Sequence, residues 1–371
     1  MDPQLIRVLI GSLVLLVVVL LPVQQVTRSR YGFLGLLIGA VTTVCGVALT
    51  LHLGDFVIAD EGEAIVKSQI DLMHRDQAHH VPKNLIIIEG SSQTELGIDA
   101  PAIESQLRSA GYDVTVIELA GAGGNHLERF SLLSRFAAEM RRQGLAASAN
   151  TRLLLEVAPE YDGNPTIFFM TNKDTLRGYH FSSFGNFWFA VQSLQIINGS
   201  LMRNRTALAT LLHNAVVSSL DVGLVLQMQR FDDLEPIPPF APKDQPEPDF
   251  EFKAYAADKY TRKPAAPLEA RWIRFTRYRT GRISSLFDGS ITETDYFSVP
   301  TVDYDKQMRY VRSFCRWRGA SPCIDATDPA LYGSLDSADD YFNTVHLSGK
   351  GAEIYSRYFA EQLIAQKMVV K

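Results

Sequence analysis

Apolar positions along the chain follow three regimes. Two segments, Val8 to Val23 (VLIGSLVLLVVVLLPV) and Tyr31 to Leu53, are apolar almost without interruption. From Asn84, short apolar runs of strand length alternate with segments of helical period. Between about 164 and 300 the alternation loses its regularity. The second apolar segment has 23 residues, and at about 1.5 Å per helical residue it is long enough for about 30 Å of hydrocarbon. The pair is expected to form a two-helix transmembrane hairpin over 1–53. The turn QQVTRSR carries Arg28 and Arg30, whereas Asp55, Asp60, Glu61 and Glu63 follow the second span. That asymmetry places the turn in the cytoplasm and the rest of the chain outside. Residues 54–83 read as a partly helical connector to the first strand.

In the alternating part, NLIIIEG (84–90) is a fully buried strand, and APAIESQLRSAG is a helix with Asp99 as N-cap and Gly111 at its end. DVTVIELA is a second strand. NHLERFSLLSRFAAEMRRQG then repeats apolar residues at Leu127, Phe130, Leu133, Phe136, Ala137 and Met140, which is helical spacing. TRLLLEVAP is a third buried strand. After the irregular middle the pattern resumes with a helix from Gln307 to Arg318, a short strand near Cys323–Ala326, and a last helix, GAEIYSRYFAEQLIAQKM. Strand–helix repeats of this kind predict a parallel sheet covered on both faces, with its site beyond the carboxyl ends of the strands. Gly90-Ser91-Ser92, Gly121 to Gly124 and Pro159-Glu160 all fall at such ends.

Composition changes this picture little. The 371 residues are 46% hydrophobic with a net charge of -5, enough for one large domain and unsuited to general nucleic-acid binding. Residues 236–248 hold six prolines and read as an extended excursion. RWIRFTRYRTGR (271–282) is either a solvated helix with one aromatic face or a surface for anionic headgroups or an acidic glycan. Of the three cysteines, Cys45 lies in the second apolar segment, while Cys315 and Cys323 are spaced to close a small disulfide loop in an oxidising compartment or else stay as separate thiols. No CxxC or HExxH pattern occurs, so no metal or cofactor is expected.

The remaining chemistry concerns one serine and one histidine. Why a buried strand should end in Gly-Ser-Ser has two answers: a tight turn before a helix cap, or a serine nucleophile displayed at the strand end. A nucleophilic serine needs a base and the base needs an orienting group. Among eight histidines, His346 stands out because YFNTVHLSGKGAEIYS places it just before the last helix.

These blocks resemble the SGNH (GDSL-like) hydrolase superfamily, in particular its membrane-anchored members similar to the alginate O-acetylation and teichoic-acid D-alanylation proteins. Gly90-Ser91-Ser92 matches the first block, LAGAGGNHLERF the second, and Asn343-Thr-Val-His346-Leu347 with Gly349 or Gly351 the last. The resemblance implies an α/β, three-layer SGNH-like (flavodoxin-like) parallel sheet over 84–371, with an irregular insertion at about 164–300. It implies Ser92 as nucleophile with Ser91 as the other candidate, His346 as base, Asn343 as its orienter, and the N–H groups of Ser92 and Gly123 as oxyanion donors. Ser91, Gln93 and Glu160 are expected near the substrate, Glu160 otherwise as a strand-end cap. Two departures stand out: EVAPEYD lacks the usual third-block asparagine, and Asn343 stands where aspartate is usual, with Asp339 or Asp340 as nearby carboxylates. The implied activity is O-acyl transfer to an extracytoplasmic cell-surface polysaccharide, beside a membrane-bound O-acyltransferase or polysaccharide synthase complex in the cytoplasmic membrane. An exported carbohydrate esterase shares the same site, and a non-catalytic membrane subunit remains a third reading.

Overall fold

A computed structural model describes residues 56–58, 61–121, 126–157, 184–200, 228–237, 250, 252, 268–302, 304–319 and 321–371. Its centre is a five-stranded parallel sheet in the order β3-β2-β4-β6-β7, built from β2 (Asn84–Gly90), β3 (Val114–Ala120), β4 (Asn150–Glu156), β6 (Glu293–Phe297) and β7 (Cys323–Ile324). A separate antiparallel pair joins β1 (Phe56–Ile58) to β5 (Met228–Arg230). The helices are α1 (Glu61–Gln77), α2 (Ser92–Gly97), α3 (Ala100–Ser109), α4 (His126–Arg142), α5 (Phe184–Asn198), α6 (Ala270–Leu286), α7 (Tyr304–Arg318), α8 (Pro329–Tyr332) and α9 (Gly349–Ala365).

The four-residue aliphatic run of β2 is continuous because both faces of the sheet are covered. Leu85 and Ile87 point into one cluster, with Ile65 and Ile70 of α1, Leu133 and Phe136 of α4, Leu194 of α5, Phe275 of α6 and Phe314 of α7. Ile86 and Ile88 point into the other, with Ile103 and Leu107 of α3, Leu331 of α8 and Tyr355 and Phe359 of α9. The ends of α3 follow local chemistry: the Asp99 carboxylate accepts the Ala102 N–H at 2.9 Å, and Gly111 leaves the helix at φ +87°.

The chain passes from β2 outward to β3 and then returns to the other side of β2 with β4. In doubly wound sheets of this order, the carboxyl ends flanking that reversal are where ligands sit. Here those ends are Gly90 and Glu156.

Two boundaries differ from expectation. The stretch assigned to an irregular insertion ends earlier, because β6 pairs with β4 and α6 packs Trp272, Phe275 and Ile283 into the core. Strand β6, ETDYF, buries fully only its last three residues, so it carries no apolar run to announce it. The connector also contributes to the fold, since α1 buries Val66, Ile70 and Met73. The expected hairpin, 1–53, lies outside the described residues; among those described, no helix is long and apolar enough to cross a membrane. Cys315 of α7 and Cys323 of β7 are joined, with Sγ–Sγ 2.01 Å and Cα–Cα 5.6 Å. The arginine-rich stretch is α6: Trp272 and Phe275 face inward and Arg274, Arg277 and Arg282 are exposed, as the helix reading expects, whereas Arg279 is buried, which that reading did not foresee.

Glu118 of β3 is 1% exposed and neither carboxylate oxygen has a hydrogen-bond partner. Burial, then Glu95 and Asp99, push its carboxyl well above the usual range. The unfolded chain ionises near the ordinary value of 4.5 while the folded chain stays protonated to higher pH, so folding is penalised as pH rises through that window. Glu118→Met is expected to raise stability at pH 7 by about 1–3 kcal/mol. The gain should shrink toward pH 4, where both states are largely protonated, and melting temperatures of both proteins across pH 4–8 check it. An equal gain at every pH would contradict the assignment.

Candidate active site

The turn after β2 is built on glycine. A Cβ on Gly90 would lie 1.9 Å from Thr94 Oγ1 and 2.2 Å from Thr94 Cβ, so no other residue lets α2 fold back this closely. Ser91 caps α2, its Oγ accepting the Gln93 N–H at 3.3 Å. Ser92 is thereby the first residue of the helix.

Ser92 Oγ lies 2.9 Å from His346 Nε2, a contact between residues 254 apart in sequence. On the other side of the ring, His346 Nδ1 is 3.0 Å from Asn343 Oδ1. The same Oδ1 accepts the N–H groups of Val345 and His346, each at 3.1 Å. An amide nitrogen could not accept those bonds, so the oxygen of Asn343 is the atom that faces the ring. Nδ1 therefore carries the proton and donates it to Asn343, which leaves Nε2 as acceptor for the Ser92 hydroxyl. The histidine loop is held from both ends. Tyr341 and Leu347 form an antiparallel bridge, the Phe342 N–H donates to the His346 carbonyl at 2.9 Å, and Ser348 caps α9. A Cβ on Gly351 would lie 1.9 Å from the Asp340 carbonyl, which is how closely α9 approaches this loop.

Neither nearby aspartate takes over from Asn343. The Asp340 carboxylate pairs with Lys350 at 2.7 Å and accepts the Ser337 N–H at 3.0 Å, while Asp339 is exposed. Ser91 is occupied elsewhere as well: its hydroxyl donates to Glu156 Oε1 at 3.0 Å and its N–H to Glu156 Oε2. The second serine alone is therefore in contact with the histidine. Gln93 is buried on the first turn of α2. Gly123 and Glu160 lie outside the described residues.

Sequence reasoning missed the support beneath this turn. Glu156 ends β4, is 1% exposed, and also accepts the Thr94 hydroxyl at 3.0 Å. Arg129 of α4 donates to Glu89 through Nε at 2.6 Å and Nη2 at 2.7 Å, to the Glu156 carbonyl at 2.9 Å, and lies 4.0 Å from the Glu156 carboxylate. Arg279 of α6 reaches the same Glu89 oxygen at 2.5 Å. Burial alone would raise the Glu89 carboxyl, but Arg129 and Arg279 outweigh it and hold it below the ordinary range. For Arg129 too, burial opposes the charge, and Glu89 and Glu156 more than compensate. For Arg279 burial comes first and prevails: Glu89, with a smaller contribution from Tyr296, supports the charge, Arg129 opposes it, and its pKa falls. Beside them, burial and then the two arginines hold His126 well below the usual imidazole range. One signal was available. Glu89 and Glu156 each end an apolar strand run, LIIIE and LLLE, and a carboxylate on a strand buried on both faces requires cationic partners.

No protein-family model matches the chain, and none of the curated proteins matches it in sequence.

Proposed function

We propose that Ser92, His346 and Asn343 form a serine acyl-transfer site of the SGNH type. In this reading the protein is the O-acyltransferase component of a membrane-anchored system that modifies an extracytoplasmic polysaccharide. The observation that carries it is the Ser92–His346–Asn343 relay, with His346 Nε2 2.9 Å from the Ser92 hydroxyl and Nδ1 3.0 Å from Asn343 Oδ1. Support also comes from the order of the matching sequence blocks and from the reversal of strand order at the turn that presents Ser92.

In the first half-reaction Ser92 Oγ attacks the donor carbonyl while His346 takes its proton. The C–O bond to the leaving group breaks as His346 returns the proton to it. In the second half a saccharide hydroxyl, deprotonated by His346, attacks the acyl-serine, and the proton goes back to Ser92. The N–H groups of Ser92 and Gly123 are the expected oxyanion donors. A single such donor has been worth about 3–4 kcal/mol elsewhere. A membrane-bound O-acyltransferase delivering the donor is the expected partner. With water in place of the saccharide hydroxyl, the same site is an esterase.

The test uses the purified full-length protein, an activated acetyl ester and an oligosaccharide acceptor. Acetylation of the Ser92 peptide, followed by acetyl transfer to saccharide in preference to water, supports the reading. Release as acetate alone points to the esterase. A folded protein that takes up no acetyl group contradicts both.

Asn343 sets the rate in this scheme. In a serine triad the change from Asp to Asn costs about 10⁴ in kcat, with the wrong tautomer as the cause. Here the tautomer is correct and only the negative charge beside the imidazolium is missing. Asn343→Asp is therefore expected to raise ester turnover by about 10- to 100-fold. The added carboxylate favours imidazolium, so the acidic limb of the pH–rate profile should move to higher pH. Profiles of kcat/KM for the two proteins check both effects together.

A further inference from the structure

Helix α2 has only six residues, and a helix this short is not stable on its own. The aim of Ser92 is therefore set by what holds its neighbours. Ser91 is fixed at four points. Its N–H donates to Glu156 Oε2 and its hydroxyl to Glu156 Oε1 at 3.0 Å; its Oγ accepts the Gln93 N–H at 3.3 Å, and its carbonyl accepts the Glu95 N–H at 3.0 Å. On the far side of Ser92, the Thr94 hydroxyl donates to Glu156 Oε2 at 3.0 Å. One carboxylate thus gathers donors from both sides of the nucleophile.

Glu156 is itself tied to the sheet. It pairs with Phe297 of β6, its carbonyl accepts from Arg129 at 2.9 Å, and the N–H of the next residue, Val157, donates to the Phe297 carbonyl at 2.7 Å. The Ser91 N–H and the two hydroxyls all give protons to it, and only a group that accepts through both oxygens satisfies all three. The proton of the Ser91 hydroxyl is committed in this way, so of the two serines Ser92 is the one left to give its proton to His346.

We propose that Glu156 is a positioning residue for acyl transfer: it locks Ser91 and Thr94 to the end of β4 and so holds Ser92 Oγ against His346 Nε2. The inference rests on Ser92 being the nucleophile and adds a fourth residue, outside the relay, on which the alignment of the relay depends.

The test uses the full-length protein and an activated acetyl ester, with active sites counted by prolonged fluorophosphonate labelling so that unfolded molecules drop out. Glu156→Gln keeps the size and one acceptor oxygen but turns an NH2 toward the Ser91 hydroxyl. It should lower kcat per active site by about tenfold, and Glu156→Ala by about 100-fold, the cost of a misplacement of about 1 Å. KM should change by less than about twofold. The acidic limb of the pH–rate profile should stay in place, because Glu156 acts on the turn and not on the imidazole. Ser91→Ala with Thr94→Val removes both hydroxyls; in that background Glu156→Gln should cost less than about threefold, as for residues acting through one another. Should Glu156→Ala fail to fold, Glu156→Gln decides. A Glu156→Gln variant as fast per active site as the wild type would overturn the proposal and leave Glu156 a purely structural group. So would an acidic limb moved to lower pH, which would show the carboxylate acting by charge on His346. A folded wild type that neither turns over the ester nor takes the label removes the Ser92 reading and this one together.

Discussion

Ser92→Ala is expected to lower ester turnover and acyl transfer by about 10⁴–10⁵, the ~10⁶ lost when the serine is removed from a Ser-His-Asp relay less the 10- to 100-fold that Asn343 already forgoes. His346→Ala should cost about as much, because the two residues act as one unit, and the double variant should be little worse than either. Rates with an activated acetyl ester, read beside single-site labelling by a fluorophosphonate, check this. Ser91→Ala is the control that separates the serines. Its hydroxyl is committed to Glu156 and to the cap of α2, so its loss should disturb the turn yet leave the label on Ser92. A label that stays in Ser92→Ala and disappears in Ser91→Ala would reverse the assignment.

The second large effect is on stability. Arg129→Met leaves Glu156 without its nearest cation and Glu89 with Arg279 alone, both carboxylates 1% exposed or less. Removing one partner from a buried ionic cluster typically costs about 3–5 kcal/mol. Chemical denaturation of the wild type and of Arg129→Met measures it directly. Replacing Glu89, Arg129 and Arg279 together with apolar residues of similar volume should recover much of the loss, since no charge is then stranded. If the triple variant proved as unstable as the single one, packing rather than charge would be the reason for the cluster. Because Arg129 also binds the Glu156 carbonyl, Arg129→Met should in addition slow labelling of Ser92.

What could be read from the chain follows the range of the interactions. Strands β2, β3 and β4, helices α3, α4 and α9, and the placement of His346 announce themselves through apolar runs, caps and terminal glycines within a few residues. Strand β6 does not, because Glu293, Thr294 and Asp295 give it neither an apolar run nor a clean alternation, and only its pairing with β4 makes it a strand. Helix α1 reads as a connector because its partners in α4 and β3 come much later in the chain. Glu156 escaped for the same reason: its bonds to Ser91 and Thr94 span 65 and 62 residues. Ser92 and His346 were found in spite of their 254-residue separation because each lies at the boundary of a local element.

The dependence of Gly90 on Thr94 has a use outside this molecule. The space a side chain at 90 would need is taken by the threonine whose hydroxyl reaches Glu156, so position 90 cannot gain a side chain while 94 carries one. The readable unit is therefore longer than three letters: Glu-Gly-Ser-Ser-x-Thr closing one apolar strand, with a glutamate closing the apolar strand that pairs beside it. A Gly-Ser-Ser by itself is common. The extended pattern sorts chains that keep this support under the serine from those that merely share the turn.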